Sequence, residues 1–189
     1  MSNVQVKEDH YAFETYMHFE RWSSIWQQIQ LVTDSGASSI LEIGAGSGVF
    51  SSTCKAFGLS VDTFDFDENV SPTYGGSIVD DSLPDTIYDV VCAFQVLEHL
   101  EYKYFIPSIK KMLAQAKYSV IVSVPNSTLA YRYSLKFPFL KQIEFLIENP
   151  FPVSREHHFD GEHFWELGKK GYPVRRIRSD LRDLGIKVS

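Results

Sequence analysis

Cysteine is scarce in this sequence: its 189 residues contain two, Cys54 and Cys92. Two thiols make neither a disulfide framework nor a zinc site by themselves, so a reduced, cytoplasmic protein is expected. Long apolar runs are missing too, and none approaches the ~18 residues that a membrane-spanning helix needs. The N-terminal stretch from Met1 to Asp9 has no basic start or apolar centre, which excludes a secretory leader as its reading. Basic residues are nearly absent from the first half. Residues 1–101 hold 3 Lys/Arg against 16 Asp/Glu, whereas residues 102–189 hold 15 against 8. So acidic a first half argues against a nucleic-acid surface there and suits a cationic ligand, although solvated surface alone gives the same balance. No repeat or low-complexity tract occurs. Aromatics are plentiful (14 Phe, 10 Tyr and 3 Trp), and 44% of the chain is hydrophobic, enough for a packed core.

Phe13, Tyr16, Met17, Trp22, Ile25, Trp26 and Ile29 recur at helical spacing, which predicts one or two amphipathic helices over 10–32, ended by Asp34-Ser35-Gly36. Short strands are predicted at 38–43, 61–66 and 77–79. The run Tyr88-Asp89-Val90-Val91-Cys92-Ala93-Phe94 reads as a strand buried on both faces, and 120–124 as a fifth strand ended by Pro125. Helices are predicted at 49–57, 105–116 and 173–184, with residues 126–170 irregular and aromatic-rich. Strands alternating with helices define an α/β, Rossmann-like, doubly wound and mainly parallel sheet with helices on both faces. One domain is expected over 1–189. Within it, 10–35 form a helical lid, 37–125 a binding core, 126–170 an insert, and 171–189 a last helix and the start of a strand.

Ligands of such sheets bind at the carboxyl ends of the strands. The first strand runs into Glu42-Ile43-Gly44-Ala45-Gly46-Ser47-Gly48, where bare backbone admits a ligand closely. The dinucleotide pattern Gly-x-Gly-x-x-Gly fails, because its third glycine would fall at Val49. The phosphate loop fails too, since no Gly-Lys-Ser/Thr follows.

This motif resembles the first motif of the class I S-adenosylmethionine-dependent methyltransferases, an acid followed by Gly-x-Gly-x-Gly at the end of the first strand. Further stretches match in order: Asp65, 21 positions after Gly44; Asp80-Asp81-Ser82-Leu83-Pro84; Tyr88 to Leu100, similar to the fourth motif in its "methyltransferase type 11" form; and Ser123-Val124-Pro125-Asn126. The likeness is strong over 37–126 and weaker through Phe159–Glu166. It implies S-adenosylmethionine as cofactor and S-adenosylhomocysteine as product, with no metal. It implies that Gly44, Ala45, Gly46 and Gly48 admit the methionine and ribose portions, with Glu42 near the methionine ammonium. Asp65 then holds the ribose hydroxyls and Phe66 lies against the adenine. Either Asp80 or Asp81 fixes the adenine amino group, and Gln95 and Val96 line the floor.

Methyl transfer from a sulfonium needs alignment and water exclusion, and a base only when the acceptor must lose a proton. His99, beside Glu98, is the candidate base; shaping the loop and pocket is the commoner use of such a pair. His157, His158 and His163, beside Glu156, Asp160 and Glu162, match no structural zinc spacing, so no metal is expected. Tyr11, Phe13, Tyr16, Phe19, Trp22 and Trp26 can serve as a lid or as plain packing. The greasy run Phe137 to Ile147 can take a lipid-like acceptor, a partner or its own domain. Lys169, Lys170, Arg175, Arg176, Arg178 and Arg182 read as the wet face of the last helix, and no nucleic acid is expected. A small-molecule acceptor is expected. A cofactor-binding scaffold without turnover is the alternative.

The family's sheet usually has seven strands, and the chain stops at Ser189 as a sixth begins. The edge at 120–124 then needs cover. A shortened chain or the insert accounts for it first, and a homodimer through that edge third.

Overall fold

The computed structural model describes residues 13–127, 130–136, 139, 143–148, 156–159, 161–185 and 187–188. Two compact units divide between Val124 and Pro125. The first carries α1 (Phe13–Tyr16), α2 (Phe19–Asp34), β1 (Ser39–Ile43), α3 (Val49–Ala56), β2 (Ser60–Asp65), β3 (Tyr74–Gly75), β4 (Tyr88–Phe94), α4 (Phe105–Gln115) and β5 (Ala116–Ser123). Its strands form one parallel sheet in the order β3-β2-β1-β4-β5. From β1 the chain builds outward to β2 and β3, then crosses back to lay β4 on the other side of β1. That reversal opens a crevice at the carboxyl ends of β1 and β4.

Burial explains these elements. In β4 every residue from Tyr88 to Ala93 is buried, as a central parallel strand requires. Helix α2 buries Ile25, Gln28, Ile29 and Val32, and α4 buries Phe105, Ser108, Ile109 and Met112, each an i, i+3, i+4, i+7 stripe. The first stripe packs with Ile40, Phe50, Cys54, Val61, Val90 and Cys92 into the core, where both cysteines are free thiols. The start of the sheet is pinned by Asp89, whose Oδ2 accepts from Ser38 N (2.9 Å), Ser38 Oγ (2.7 Å) and Ser39 N (3.2 Å). The Ser38 amide, first among these, holds that carboxyl down at about 2.

The second unit contains β6 (Ala130–Leu135), β7 (Ile143–Glu148) and α5 (Val174–Arg182). Strands β6 and β7 pair antiparallel, Ala130 opposite Glu148 through Leu135 opposite Ile143. Leu167 bonds both ways with the chain at Pro125–Ser127: Leu167 N donates to Pro125 O and Ser127 N to Leu167 O. Trp165 is fully buried, with its ring 6.0 Å from that of Tyr172. Arg175, Arg176, Arg178 and Arg182 are exposed on or beside α5, as expected.

The structure corrects the expectations in four places. The third strand is the two-residue Tyr74–Gly75, not 77–79, because pairing with β2 ends at Asp65 opposite Gly75. The fifth strand starts four residues early, at Ala116, directly on the end of α4. Residues 126–170 are not wholly irregular, since Tyr-x-Tyr-x-Leu and Ile-x-Phe-x-Ile form the β6–β7 hairpin, a period of two that the aromatic density hid. Lys187 and Val188 form no strand. Among the described residues no helix is long and apolar enough to cross a membrane.

Ile40 is fully buried in the central strand, whereas Ile87 is 56% exposed. Ile40→Ala should cost about 2–5 kcal/mol in urea unfolding, and Ile87→Ala no more than about 0.5 kcal/mol.

Candidate functional site at the carboxyl edge of the parallel sheet

Strand β1 ends at Ile43 and the chain turns at once. Gly44 has φ +77° and donates its N–H to Phe64 O of β2 at 2.9 Å. A Cβ on Gly44 would overlap Cγ2 of Val96, which follows β4, so only glycine lets the two strand exits approach this closely. Gly46 and Gly48 also have positive φ, and Gly48 caps α3 with backbone alone. Ala45 is buried inside the turn.

Below this turn sits Glu42, 4% exposed, with no hydrogen-bond partner for Oε2. Burial pushes its carboxyl up to about 8; the Ser51 hydroxyl opposes the rise and the Asp65 charge adds to it. At the tip of β2, Asp65 is buried, and its Oδ1 accepts from Asp67 N at 2.9 Å. Asp65 thus caps its own loop, and Oδ2 enters none of the described hydrogen bonds. Phe66, next to it, is 42% exposed.

Beyond β3, Ser77 N donates to Asp81 Oδ2 (2.8 Å), Asp81 N to Ser77 O (2.8 Å) and Val79 N to Ser77 Oγ (3.2 Å). Asp80 is exposed and enters none of these bonds. At the tip of β4, Gln95 holds the left-handed φ of +57°, fixed by Gln95 N to Ser123 O (2.9 Å) and Nε2 to Ser123 Oγ (3.3 Å). Strained backbone of this kind is concentrated at functional sites. The 3-10 turn Leu97–His99 follows, closed by His99 N to Val96 O. Glu98 is fully buried, neither oxygen has a hydrogen-bond partner, and burial raises it to about 8, with Arg21 pulling the other way.

The sheet places Gly44, Ala45, Gly46, Gly48, Asp65, Phe66, Gln95, Val96 and His99 at the carboxyl ends of its strands, with Asp80 and Asp81 on the loop after β3. The lid expectation divides. Phe13, Tyr16, Met17 and Trp22 share a cleft of about 320 Å³ with Ser47 and Val49 of the glycine turn. Phe19 and Trp26 are exposed and do not line it, and Tyr11 lies outside the described residues. Ser47 and Val49 were not singled out as liners; their only signal is their place within and after the glycine cluster. In the second unit, His157 Nε2 donates to His163 O at 2.8 Å, so one candidate ligand atom serves the backbone instead.

A glycine turn between β1 and α3, an acid at the tip of β2 and the order β3-β2-β1-β4-β5 define a Rossmann-like domain of the kind that binds nucleoside-bearing cofactors. Residues 13–167 match the family described as methyltransferase domain, and the chain belongs to it. Solved structures agree on the fold. One, a SAM-dependent methyltransferase from Archaeoglobus fulgidus, is 22% identical over 65% of this chain and 60% of its own, with a TM-score of 0.52. Another is magnesium protoporphyrin IX methyltransferase from Synechocystis PCC 6803 with bound SAH, 17% identical over 60% and 63%, TM-score 0.50. A third, an S-adenosylmethionine-dependent methyltransferase from Clostridium acetobutylicum, is 9% identical over 92% and 83%, TM-score 0.55. The chain spans about three fifths of the length of the first two. No curated protein sequence matches it.

Glu42 and Glu98 keep a proton in the folded state up to about pH 8, but in the unfolded chain only to about 4.5. The folded state then binds more protons across that window, so stability falls as pH rises through it, by at most about 1.4 kcal/mol per pH unit for each group. Urea unfolding across the same window should give a flatter pH slope for the Glu42→Gln, Glu98→Gln double variant. Identical slopes would show that neither carboxyl is held neutral.

Proposed function

We propose that this domain transfers the methyl group of S-adenosylmethionine to a small-molecule acceptor and releases S-adenosylhomocysteine. The observation that carries the proposal is the glycine turn at Gly44, closed against Val96 at the point where the strand order reverses. The residues present fit the cofactor: backbone without side chains at Gly44, Gly46 and Gly48, an unpartnered buried oxygen on Glu42, and a carboxylate with one uncommitted oxygen at Asp65.

When bound, the cofactor supplies an activated methyl carbon on a sulfonium. The chain's task is to hold and align. Glu42, neutral in its buried setting, ionises when an ammonium approaches and then pairs with it. Asp65 accepts from ribose hydroxyls through Oδ2 while Oδ1 keeps its loop in shape. Phe66 offers an exposed ring for the adenine. Of the pair left open by the sequence, Asp80 reads the adenine amino group in this proposal: its carboxylate enters none of the loop's described bonds, whereas Asp81 gives Oδ2 to Ser77 N. Gln95 and Val96 form the floor. His99 accepts the acceptor's proton where the acceptor carries one. The cleft lined by Phe13, Tyr16, Met17 and Trp22 is of a size for a small molecule and lets apolar side chains keep water from the methyl carbon.

Calorimetry should detect binding of S-adenosylhomocysteine and none of NAD. Asp65→Asn retains an oxygen for Asp67 N but loses the charge, and should weaken that binding by about 1–3 kcal/mol. Unchanged affinity would remove Asp65 from the site, and NAD binding in place of S-adenosylhomocysteine would overturn the proposal. His99→Asn should lower S-adenosylhomocysteine release from a pool of small-molecule acceptors by at least about tenfold and leave affinity intact. Parallel losses in both would make His99 part of the pocket wall.

A further inference from the structure

The loop from Gly76 to Leu83 belongs to no helix or strand, and its own bonds, Ser77 to Asp81 and Val79 to Ser77, are local. They set the shape of a turn without tying it to the domain; at its start Gly76 N donates to Asp65 O of β2 at 2.9 Å, and Ile78 and Leu83 are buried. A further tie, on the backbone between them, comes from α4. Lys111 Nζ donates to Ile78 O at 2.8 Å, Val79 O at 3.0 Å and Asp81 O at 2.8 Å. An ammonium has three protons, and three carbonyls take them all. The helix beneath is held by Phe105, Ser108, Ile109 and Met112, all buried, so the lysine stands on a fixed base.

We propose that Lys111 is a positioning residue for the adenine end of the cofactor site, an internal cation that clamps the backbone of residues 78–81 so that Asp80 is presented at a fixed place. The assignment rests on the cofactor reading above. With Asp81 Oδ2 committed to Ser77 N and three loop carbonyls committed to Lys111, the exposed Asp80 carboxylate, with both oxygens outside the described loop bonds, is the acceptor placed to distinguish an amino group from an oxo group on the base. A loop released from Lys111 still offers a carboxylate, but in a spread of positions. Recognition of the amino group suffers more than general affinity, since a misplaced hydrogen-bond partner gives up selectivity first.

Lys111→Met removes the cation and keeps the side chain's length, Lys111→Arg restores a charged donor, and the exposed neighbour Lys110→Met is the control. Two measurements apply to each: amide exchange at Ser77, Val79 and Asp81 in ligand-free protein, and calorimetric affinity for S-adenosylhomocysteine and for its deaminated inosine analogue. For Lys111→Met, exchange at the three amides should quicken by about tenfold or more, and the preference for the adenosine compound over the analogue should fall by about tenfold. Arginine should recover most of that preference and Lys110→Met should leave it untouched. A lower melting temperature with the preference unchanged would overturn the assignment, since a purely structural lysine gives that result. Wild-type protein that binds neither compound would instead overturn the cofactor reading, and the adenine role of the loop with it.

Discussion

Two strand exits meet in this domain with no room for a side chain between them. Gly44, leaving β1, and Val96, leaving β4, approach so closely that a single Cβ would overlap the valine. Everything at the carboxyl edge of the sheet is arranged around that approach. It sets the path of the turn through Gly46 to Gly48, hence the start of α3, and it keeps backbone rather than side chains facing the crevice. The same closeness puts strain next door: Gln95 takes a left-handed backbone so that Val96 can lie across the glycine, and two bonds to Ser123 of β5 hold it there. Val96 meets the glycine turn, and Gln95, its neighbour, is hydrogen-bonded to the fifth strand.

A second constraint is electrostatic. The first half of the sequence is strongly acidic, and the structure hides part of that acidity. Glu42 and Glu98 are carboxyls removed from water without full hydrogen-bond compensation, an arrangement that costs folding energy. Asp89 shows the opposite economy, since its oxygens meet three donors and its charge is held. One buried acid therefore fixes the fold while the other two remain in search of a positive partner. In the function proposed above, the ammonium of the cofactor is the partner assigned to Glu42.

Much of this was legible in the sequence where burial and chemistry coincide. Strands β1, β2 and β4 follow apolar runs whose periodicity is decisive; the glycine turn stands out by its spacing, and Asp65 through the resemblance to the methyltransferases. Strand β3 is not legible in the sequence, because two paired residues leave no periodic trace; where it sits depends on where β2 stops. The alternation of the β6–β7 hairpin is masked in the sequence by a run rich in aromatics. Adjacent identical residues leave Asp80 and Asp81 open in the sequence; the structure adds that the loop uses Asp81 Oδ2 for its own shape. Lys111 gave no sign at all: beside Lys110 it differs only by the ~100° that separates neighbours on a helix.

The two buried thiols carry a consequence of a different kind. Burial, reinforced by the Glu42 charge, pushes Cys54 up to about 11 and Cys92 well above the ordinary thiol range. Because only the thiolate reacts, both are inert toward alkylating agents and peroxide while the sheet is closed. Cys92 lies on the buried strand β4 and Cys54 on helix α3, both in one core cluster, so modification of either reports the opening of that core. The domain thus contains its own chemical clock, and the rate at which thiol reagents consume it measures how often the heart of the sheet meets solvent.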